Sequence, residues 1–403
     1  MSENIMIGLS GGPSSAINAS LAGLIRGAAK SEKIEKIYGA LHGIEGVLGE
    51  HIVDLTPYSG EDQLAVLRQT PAMAIGSCRK KLSPEEFPKI EEVFLRYGIG
   101  AFFYVGGNDS MDTVLKLSRY FSEKGSSIRV VGVPKTIDND LPVTDHTPGY
   151  GSSAKYLYHT MNEIIRDSII YPVRNVVIVE IMGRDSGWLT LAGGLPRFLD
   201  GAMPQIIAIP EVPFDEFGFL QRIHSLFEQG DRTVICAVSE GIRDKSGNYV
   251  GMDAKSGKVD TFGHHYLSGV GKYLEALVSE KVGCKVRSIE LNVMQRCASH
   301  LASRCDLDEA EQVGEAAVEC ALRGETGITL VFQRLSDSPY RVAISSTDVA
   351  NIANKAKDVP EKWYDLENPA VQQEIRNYLL PLIRGNVQQI LDENELPKYL
   401  SIL

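Results

Sequence analysis

Short apolar runs alternate with longer helix-like stretches along most of the chain, and this alternation is what most limits its possible folds. Residues 5–9, 101–105 and 130–133 are compact apolar runs typical of buried strands, and residues 16–30 and 111–124 are helical in pattern. Strands that alternate with helices form mainly parallel sheets covered on both faces. The sequence therefore predicts an α/β fold, with no linker or low-complexity tract dividing it.

The densest polar cluster, residues 134–140, directly follows the apolar run at 130–133. Open α/β sheets bind ligands at the carboxyl ends of their strands, so this cluster is a candidate site. Lys135 could neutralise an anion, and Asp138 could take a proton from a hydroxyl nucleophile. Asp140 could hold a metal or orient Asp138. The alternative is a solvated loop in which Thr136 or an aspartate caps a helix.

Two further predicted strand ends carry glycine-rich turns. Gly11 and Gly12 follow the first apolar run, and residues 106–110 follow the second with the sequence Gly-Gly-Asn-Asp-Ser. A strand, a glycine-rich turn and a helix start together present backbone N–H groups to a phosphate. The spacings are neither those of a Walker A loop nor those of a dinucleotide fingerprint. For each turn alone, a plain tight turn remains an alternative, as does an ordinary helix cap at Asp109 or Ser110.

In this order and spacing, the three segments resemble the motifs of the phosphofructokinase family. The family's SGG element, its GGDGS or GGDDS element and its PGTIDND or PKTIDND element correspond to residues 10–18, 106–110 and 134–140. The resemblance continues to about residue 345. Its later matches are Met182-Gly183-Arg184, Ile209-Pro210-Glu211, Ser239-Glu240-Gly241, and Arg287 ahead of Gln295-Arg296.

The resemblance implies two similar lobes with mainly parallel sheets covered by helices. The active site would lie in the cleft at the strand carboxyl ends. A phosphoryl-donor lobe would comprise residues 1–147 and about 296–345, and a sugar-phosphate lobe would comprise residues 148–295. Residues 346–403 would form a helical C-terminal extension. The family also implies a homo-oligomer, either a homodimer or a homotetramer.

The family's reaction is phosphoryl transfer to the 1-hydroxyl of fructose 6-phosphate. The resemblance implies that Asp138 is the base on that hydroxyl and that Asp140 supports it. Arginines would hold the phosphates, because a planar guanidinium binds phosphate oxygens in pairs. The implied substrate-binding residues are Thr136, Ile137, Asp138, Met182, Gly183, Arg184, Glu240, Arg287 and Arg296.

Two positions bear on the identity of the phosphoryl donor. Members of the family that use ATP usually carry glycine where this chain has Asp109 and Lys135, whereas members that use pyrophosphate carry Asp and Lys. Asp109 would obstruct and repel a nucleotide α-phosphate, and Lys135 would stabilise pyrophosphate charge during transfer. We expect a reversible, pyrophosphate-dependent enzyme of glycolysis and gluconeogenesis in which Gly11, Gly12, Arg79 and Lys135 bind the donor. The alternatives are an ATP-dependent phosphofructokinase and a non-catalytic sugar-phosphate sensor on the same fold.

The resemblance also implies Mg²⁺ as cofactor. Asn108 stands where the family usually has an aspartate that reaches the metal, and a neutral amide is a weaker magnesium ligand than a carboxylate. The ion would then be held mainly by pyrophosphate oxygens and water, or by the carbonyl oxygen of Asn108.

Composition limits the partners. A formal net charge of −11 over 403 residues argues against a nucleic-acid surface. The sequence contains no run of about eighteen apolar residues and begins with no secretory leader, so neither a membrane span nor secretion is expected. The six cysteines are scattered without metal-type spacing, which is typical of reduced thiols in a cytoplasmic protein. Pyrophosphate and fructose 6-phosphate are the expected small-molecule partners.

Overall fold

The computed structural model describes residues 3–201, 203–251 and 269–403. In this part of the chain, strands and helices alternate as the sequence predicts. The strands are β1 (Glu3–Leu9), β2 (Ile34–Ala40), β3 (Ile52–Asp54), β4 (Ile99–Gly106), β5 (Arg129–Pro134), β6 (Asn175–Ile181), β7 (Ile206–Ala208), β8 (Thr233–Ser239), β9 (Lys285–Glu290), β10 (Ile328–Asp337) and β11 (Tyr340–Asp348).

The helices cover both faces of the sheets that these strands form. They are α1 (Ile17–Ala29), α2 (Gly43–Gly49), α3 (Glu61–Gln69), α4 (Phe87–Arg96), α5 (Asn108–Glu123), α6 (Tyr150–Ser168), α7 (Trp188–Gly193), α8 (Leu195–Asp200), α9 (Glu216–Glu228), α10 (Val270–Val282), α11 (Met294–Cys297), α12 (Arg304–Leu322) and α13 (Pro369–Leu382). None of the helices in the described ranges is long and apolar enough to cross a membrane.

The first sheet has seven strands in the order β11-β10-β5-β4-β1-β2-β3. Its central strands are parallel, and the strands at its two edges, β3 and β11, pair antiparallel with their neighbours. Alternate residues of β1 point to opposite faces. Ile5 and Ile7 pack with α1 and α12, whereas Met6 packs with α4 and α5. Burial on both faces explains why the central strands are continuous apolar runs.

The second sheet has four parallel strands in the order β7-β8-β6-β9. Val177 and Val179 of β6 pack with α6 and α13, and Ile178 packs with α9 and α10 on the opposite face. The parallel order and the two helical layers confirm the predicted α/β class. Each lobe thus presents the carboxyl ends of its strands along one edge of its sheet.

The C-terminal region joins both lobes. Strands β10 and β11 complete the first sheet beside β5, and α13 packs against α6 and α8 of the second lobe. Residues 384–403 then return to the first lobe, where the side chain of Gln69 bonds to the backbone of Ile390 and Lys398. Within residues 346–403, α13 is the single α-helix, accompanied by two short 3₁₀ turns.

Candidate active site

A cleft of about 500 Å³ lies where the strand ends of the two sheets meet. Its walls are the segments that directly follow β1, β4, β5, β6 and β8, as expected for a ligand site in an open α/β fold. The lining residues are Ser10, Gly11, Gly12, Pro13, Arg79, Gly107, Asn108, Asp109, Ser110, Lys135, Thr136, Ile137, Asp138, Asp140, Met182, Arg184, Asp185, Glu240, Arg296, Asn354, Lys355 and Ala356.

The cleft brings together all but two of the residues that the sequence assigned to the site. Gly183 lies just behind it, and its N–H donates to Glu240 Oε1 at 3.3 Å. Arg287 lies outside the cleft of its own chain. It is level with Val177 in the middle of β6, well before the carboxyl edge, and its guanidinium is 3.9 Å from Asp167. The spacing between Arg287 and Gln295 led to the assignment of this arginine to the site. Its position in the middle of β9 keeps its side chain from lining the cleft of its own chain.

The loop after β5 holds the proposed base in a fixed turn. The backbone N–H of Asp138 donates to Thr136 Oγ1 at 3.1 Å, and that hydroxyl donates to Asp138 Oδ2 at 3.2 Å. Asn139 adopts a left-handed conformation with φ of 56°, which asparagine tolerates better than most residues. This turn orients the carboxylates of Asp138 and Asp140 toward the cleft that both of them line.

Burial raises the pKa of three carboxyl groups of the cleft. It raises the pKa of Asp138, against the opposing effects of Thr136 and Lys135. Burial, reinforced by the charge of Asp138, raises the pKa of Asp140 to about 7. Burial also raises the pKa of Glu240 to about 7. Groups that bind protons near neutral pH are suited to general acid–base chemistry.

The glycine turn after β1 lies against cations. Lys135 Nζ donates to the carbonyl oxygen of Gly12 at 2.5 Å. A Cβ atom added at Gly11, whose φ is +80°, would lie 3.6 Å from Lys135 Nζ, and one added at Gly12 would lie 3.5 Å from Arg296 Nη1. The turn therefore approaches two cations at the place where its backbone can also face a phosphate.

Two arginines of the cleft have unused donors. Nε of Arg184 and Nε of Arg296 are both buried, and neither has a hydrogen-bond partner among the described residues. A buried donor without a partner costs about 1–3 kcal/mol. A bound phosphate would supply hydrogen-bond acceptors to both arginines. Their unpaired donors are therefore consistent with an anion-binding site.

The side chain of Asn108 has one oxygen atom that is free to act as a ligand of Mg²⁺. Its Nδ2 donates to the carbonyl oxygen of Lys355, which leaves Oδ1 buried and without a partner in the described part of the chain. The described ranges contain no group of three or more His, Cys, Asp or Glu residues placed to hold a metal. One orphaned neutral oxygen fits a magnesium ion that keeps its waters and takes its other ligands from phosphates.

Asn354, Lys355 and Ala356 line the cleft but carry no motif that the sequence could reveal. They come from the segment after β11, and Asn354 Nδ2 donates to Asp112 Oδ1 on α5 at 2.9 Å. More than 200 residues separate them from their partners on α5, so only the folded chain brings them together.

Comparisons with known proteins agree with this geometry. The Phosphofructokinase family model matches residues 4–321. A pyrophosphate–fructose 6-phosphate 1-phosphotransferase from Xanthomonas campestris is 40% identical over 99% of this chain and 96% of its own length. One from Halomonas elongata is 38% identical over 98% of this chain and 95% of its own. The crystal structure of a pyrophosphate-dependent phosphofructokinase from Marinobacter aquaeolei superposes with a TM-score of 0.86 at 35% identity, covering 98% of this chain and 95% of that one. The chain belongs to the phosphofructokinase family.

Proposed function

We propose that this enzyme transfers a phosphoryl group from pyrophosphate to the 1-hydroxyl of fructose 6-phosphate, giving fructose 1,6-bisphosphate and phosphate. The observation that carries the proposal is the pair Asp109 and Lys135 at the donor end of the cleft. The relatives named above, which align over nearly the full chain, support the same donor and acceptor. Because the reaction has little net driving force, it would run in both directions.

The chemistry divides among the lining residues. Asp138 would take the proton of the 1-hydroxyl as that oxygen attacks the terminal phosphorus of pyrophosphate. Lys135 and Arg296 would stabilise the charge on the transferring and leaving phosphates. Arg184 and Glu240 would hold the sugar phosphate. Asn108 Oδ1 would contribute to holding Mg²⁺, which when bound would offset the charge of the pyrophosphate oxygens.

The donor end of the cleft favours a short donor. Asp109 lies in the first turn of α5 and lines the cleft, with its Oδ1 3.6 Å from Lys81 Nζ. A nucleotide would have to bring a further phosphate beside this carboxylate, and the two negative charges would repel each other. Pyrophosphate would end before that point, and Lys135, which bonds to the carbonyl oxygen of Gly12, would contact it.

The test is turnover of the purified protein with fructose 6-phosphate and Mg²⁺. Pyrophosphate is the donor in one series, ATP is the donor in the other, and fructose 1,6-bisphosphate is measured. Activity with pyrophosphate alone supports the proposal. Activity with ATP alone keeps the fold and the base but overturns the donor. If the protein binds fructose 6-phosphate but shows no turnover with either donor, the non-catalytic sugar-phosphate sensor is favoured.

We also propose a cytoplasmic homodimer or homotetramer. Ile169, Ile170, Tyr171 and Val173 are large apolar residues that are about half exposed, and Tyr171 and Val173 share a surface depression with Arg287. An apolar patch of this kind, next to an arginine that its own cleft does not use, supports a subunit contact there. Light scattering after size exclusion, repeated with Tyr171→Asp, tests this assignment. A monomeric wild type would overturn it.

A further inference from the structure

Lys357 lies in the C-terminal extension, outside the span that the family model matches, yet it bonds directly to the catalytic loop. Its backbone N–H donates to the carbonyl oxygen of Asp140 at 2.7 Å. Its own carbonyl accepts a hydrogen bond from Trp188 Nε1 at 3.1 Å. The backbone of Lys357 is therefore clamped between the loop after β5 and the second lobe.

The ammonium group of Lys357 reaches the same loop a second time. Nζ donates to the carbonyl oxygens of Thr144 and Asp145 at 3.1 and 2.9 Å, and it lies 5.0 Å from the centre of the Trp188 ring. One residue thus ties together positions 140, 144 and 145. Position 140 ends the turn that carries Asp138, and positions 144 and 145 follow it, so the extension fixes the path of the loop from that turn onward.

A second residue of the extension anchors the turn itself. Tyr378 on α13 accepts a hydrogen bond from Asn139 Nδ2 at 2.7 Å through its hydroxyl oxygen, and the hydroxyl donates to the carbonyl oxygen of Asp145 at 2.8 Å. Asn139 is the left-handed residue between the two carboxylates. Its conformation is therefore held from the same side as Lys357.

Electrostatic interactions also connect Lys357 with this loop. Burial brings the pKa of Lys357 down to about 8; the charges of Asp145 and Asp140 oppose this lowering, and the charge of Arg334 adds to it. Asp140 in turn faces Asp138, Asp185 and Lys135. The positive charge of Lys357 favours the charged form of Asp140.

We propose that Lys357 is a positioning residue for phosphoryl transfer, which holds the turn at 138–140 so that Asp138 reaches the acceptor hydroxyl. The proposal rests on the proposed function for its readout. It makes the C-terminal extension part of the catalytic apparatus, with Lys357, which does not line the cleft, acting through the loop.

The test compares Lys357→Met, Lys357→Arg and the matched control Lys362→Met, a lysine of the same extension whose side chain is 65% exposed. A base displaced by a fraction of an ångström should lower kcat of Lys357→Met by roughly 10- to 100-fold. KM for both substrates should stay within about threefold, because the arginines and glycines that bind them are not touched. Lys357→Arg should recover part of the loss, since a guanidinium can still donate to two carbonyls. Lys362→Met should match the wild type.

The pH profile separates positioning from simple destabilisation. Removing the Lys357 cation disfavours the charged form of Asp140 and so raises the pKa of that carboxyl group. The acid limb of the kcat profile should therefore move to higher pH by about half a unit or more in Lys357→Met. In Lys357→Arg, which keeps the positive charge, the acid limb should stay in place. Thermal unfolding of each variant shows whether the fold survives. Should Lys357→Met fail to fold, Tyr378→Phe removes the hydroxyl at Asn139 with little change of volume and should lower kcat roughly fivefold.

Wild-type kcat and an unmoved acid limb in Lys357→Met would overturn the inference and leave the proposed function intact, as would wild-type kcat in Tyr378→Phe where Lys357→Met does not fold. A wild type that turns over with ATP and not with pyrophosphate would overturn the proposed donor instead. The same variants, assayed with ATP, would then decide the role of Lys357.

Discussion

Lys135 is a buried cation whose charge should be removable within the working pH range. Burial is the main cause that brings its pKa from the usual 10.5 down to about 8, and the charges of Arg296 and Arg79 act in the same direction while Asp138 opposes them. The proposed mechanism needs Lys135 charged when pyrophosphate binds. The free enzyme should therefore lose kcat/KM for pyrophosphate as pH rises through about 8.

The size of the effect follows from the pKa. With a value of about 8, roughly a tenth of the protein carries the charge at pH 9 and roughly a hundredth at pH 10. An exposed lysine with the usual pKa of 10.5 would stay mostly charged over that range. The basic limb of kcat/KM should thus fall about tenfold per pH unit above 8, and Lys135→Met should be low at every pH, by about 10²-fold or more at pH 7.

Lys135→Arg is the decisive variant, because a guanidinium keeps its charge across the assay range. Its kcat/KM for pyrophosphate is measured from pH 6 to 10 at saturating fructose 6-phosphate. This value should no longer fall above pH 8, even if its plateau is lower than that of the wild type. Ionisation of pyrophosphate itself affects wild type and variant alike, so their ratio cancels it. Lys357 has a similar pKa, and Lys357→Arg should keep the limb. A basic limb that survives in Lys135→Arg would refute the assignment of charge stabilisation to Lys135.

Three further variants, one of them a double substitution, test separate parts of the site. Asp138→Asn keeps the shape of the base but not its basicity, so kcat should fall by ~10³-fold with fructose 6-phosphate binding, measured by calorimetry, largely intact. Comparable kcat would remove Asp138 as the base. Gly241→Ala would place a Cβ atom 1.7 Å from the carbonyl oxygen of Arg184, so the KM for fructose 6-phosphate should rise about tenfold or more. An unchanged KM would mean that Arg184 does not hold the sugar phosphate. Glycine at both 109 and 135 should weaken pyrophosphate turnover by ~10²-fold and admit ATP; undiminished pyrophosphate turnover contradicts the donor argument.

The parts of the fold and site that depend on local signals were predictable. β1, β4 and β5 each join an apolar run to a turn of glycine or polar residues, and each ends at the cleft. The start of α5 differs from the prediction. The helix begins at Asn108 with Gly107 as its N-cap, so Asp109 lies inside the first turn and is not the cap. Polar residues fit a first helical turn as well as a cap, since the N–H groups there lack partners within the helix.

The contribution of the C-terminal extension could not be predicted. Lys355 and Lys357 contact Asn108 and Asp140 through their own backbone atoms, and a backbone contact leaves no pattern in a sequence. Their separation along the chain exceeds 200 residues, so no local periodicity links them. Arg287 is the converse case. Its spacing matched a motif, but strand register placed it away from the edge where the motif residues meet.

The electrostatics of the cleft explain how a chain of net charge −11 can bind a small polyanion. Burial is the largest cause that lowers the pKa of Lys135 and of Arg296, and charge repulsion adds to it: Arg296 and Arg79 act on Lys135, and Arg79 acts on Arg296, so these cations destabilise one another. The fold holds them together through the turn at Gly11 and Gly12 and the loop after β5. A bound anion relieves this repulsion and supplies acceptors to the orphaned guanidinium donors. The repulsion among these cations is overcome when the chain folds, so the site is preorganised for phosphate before substrate binds.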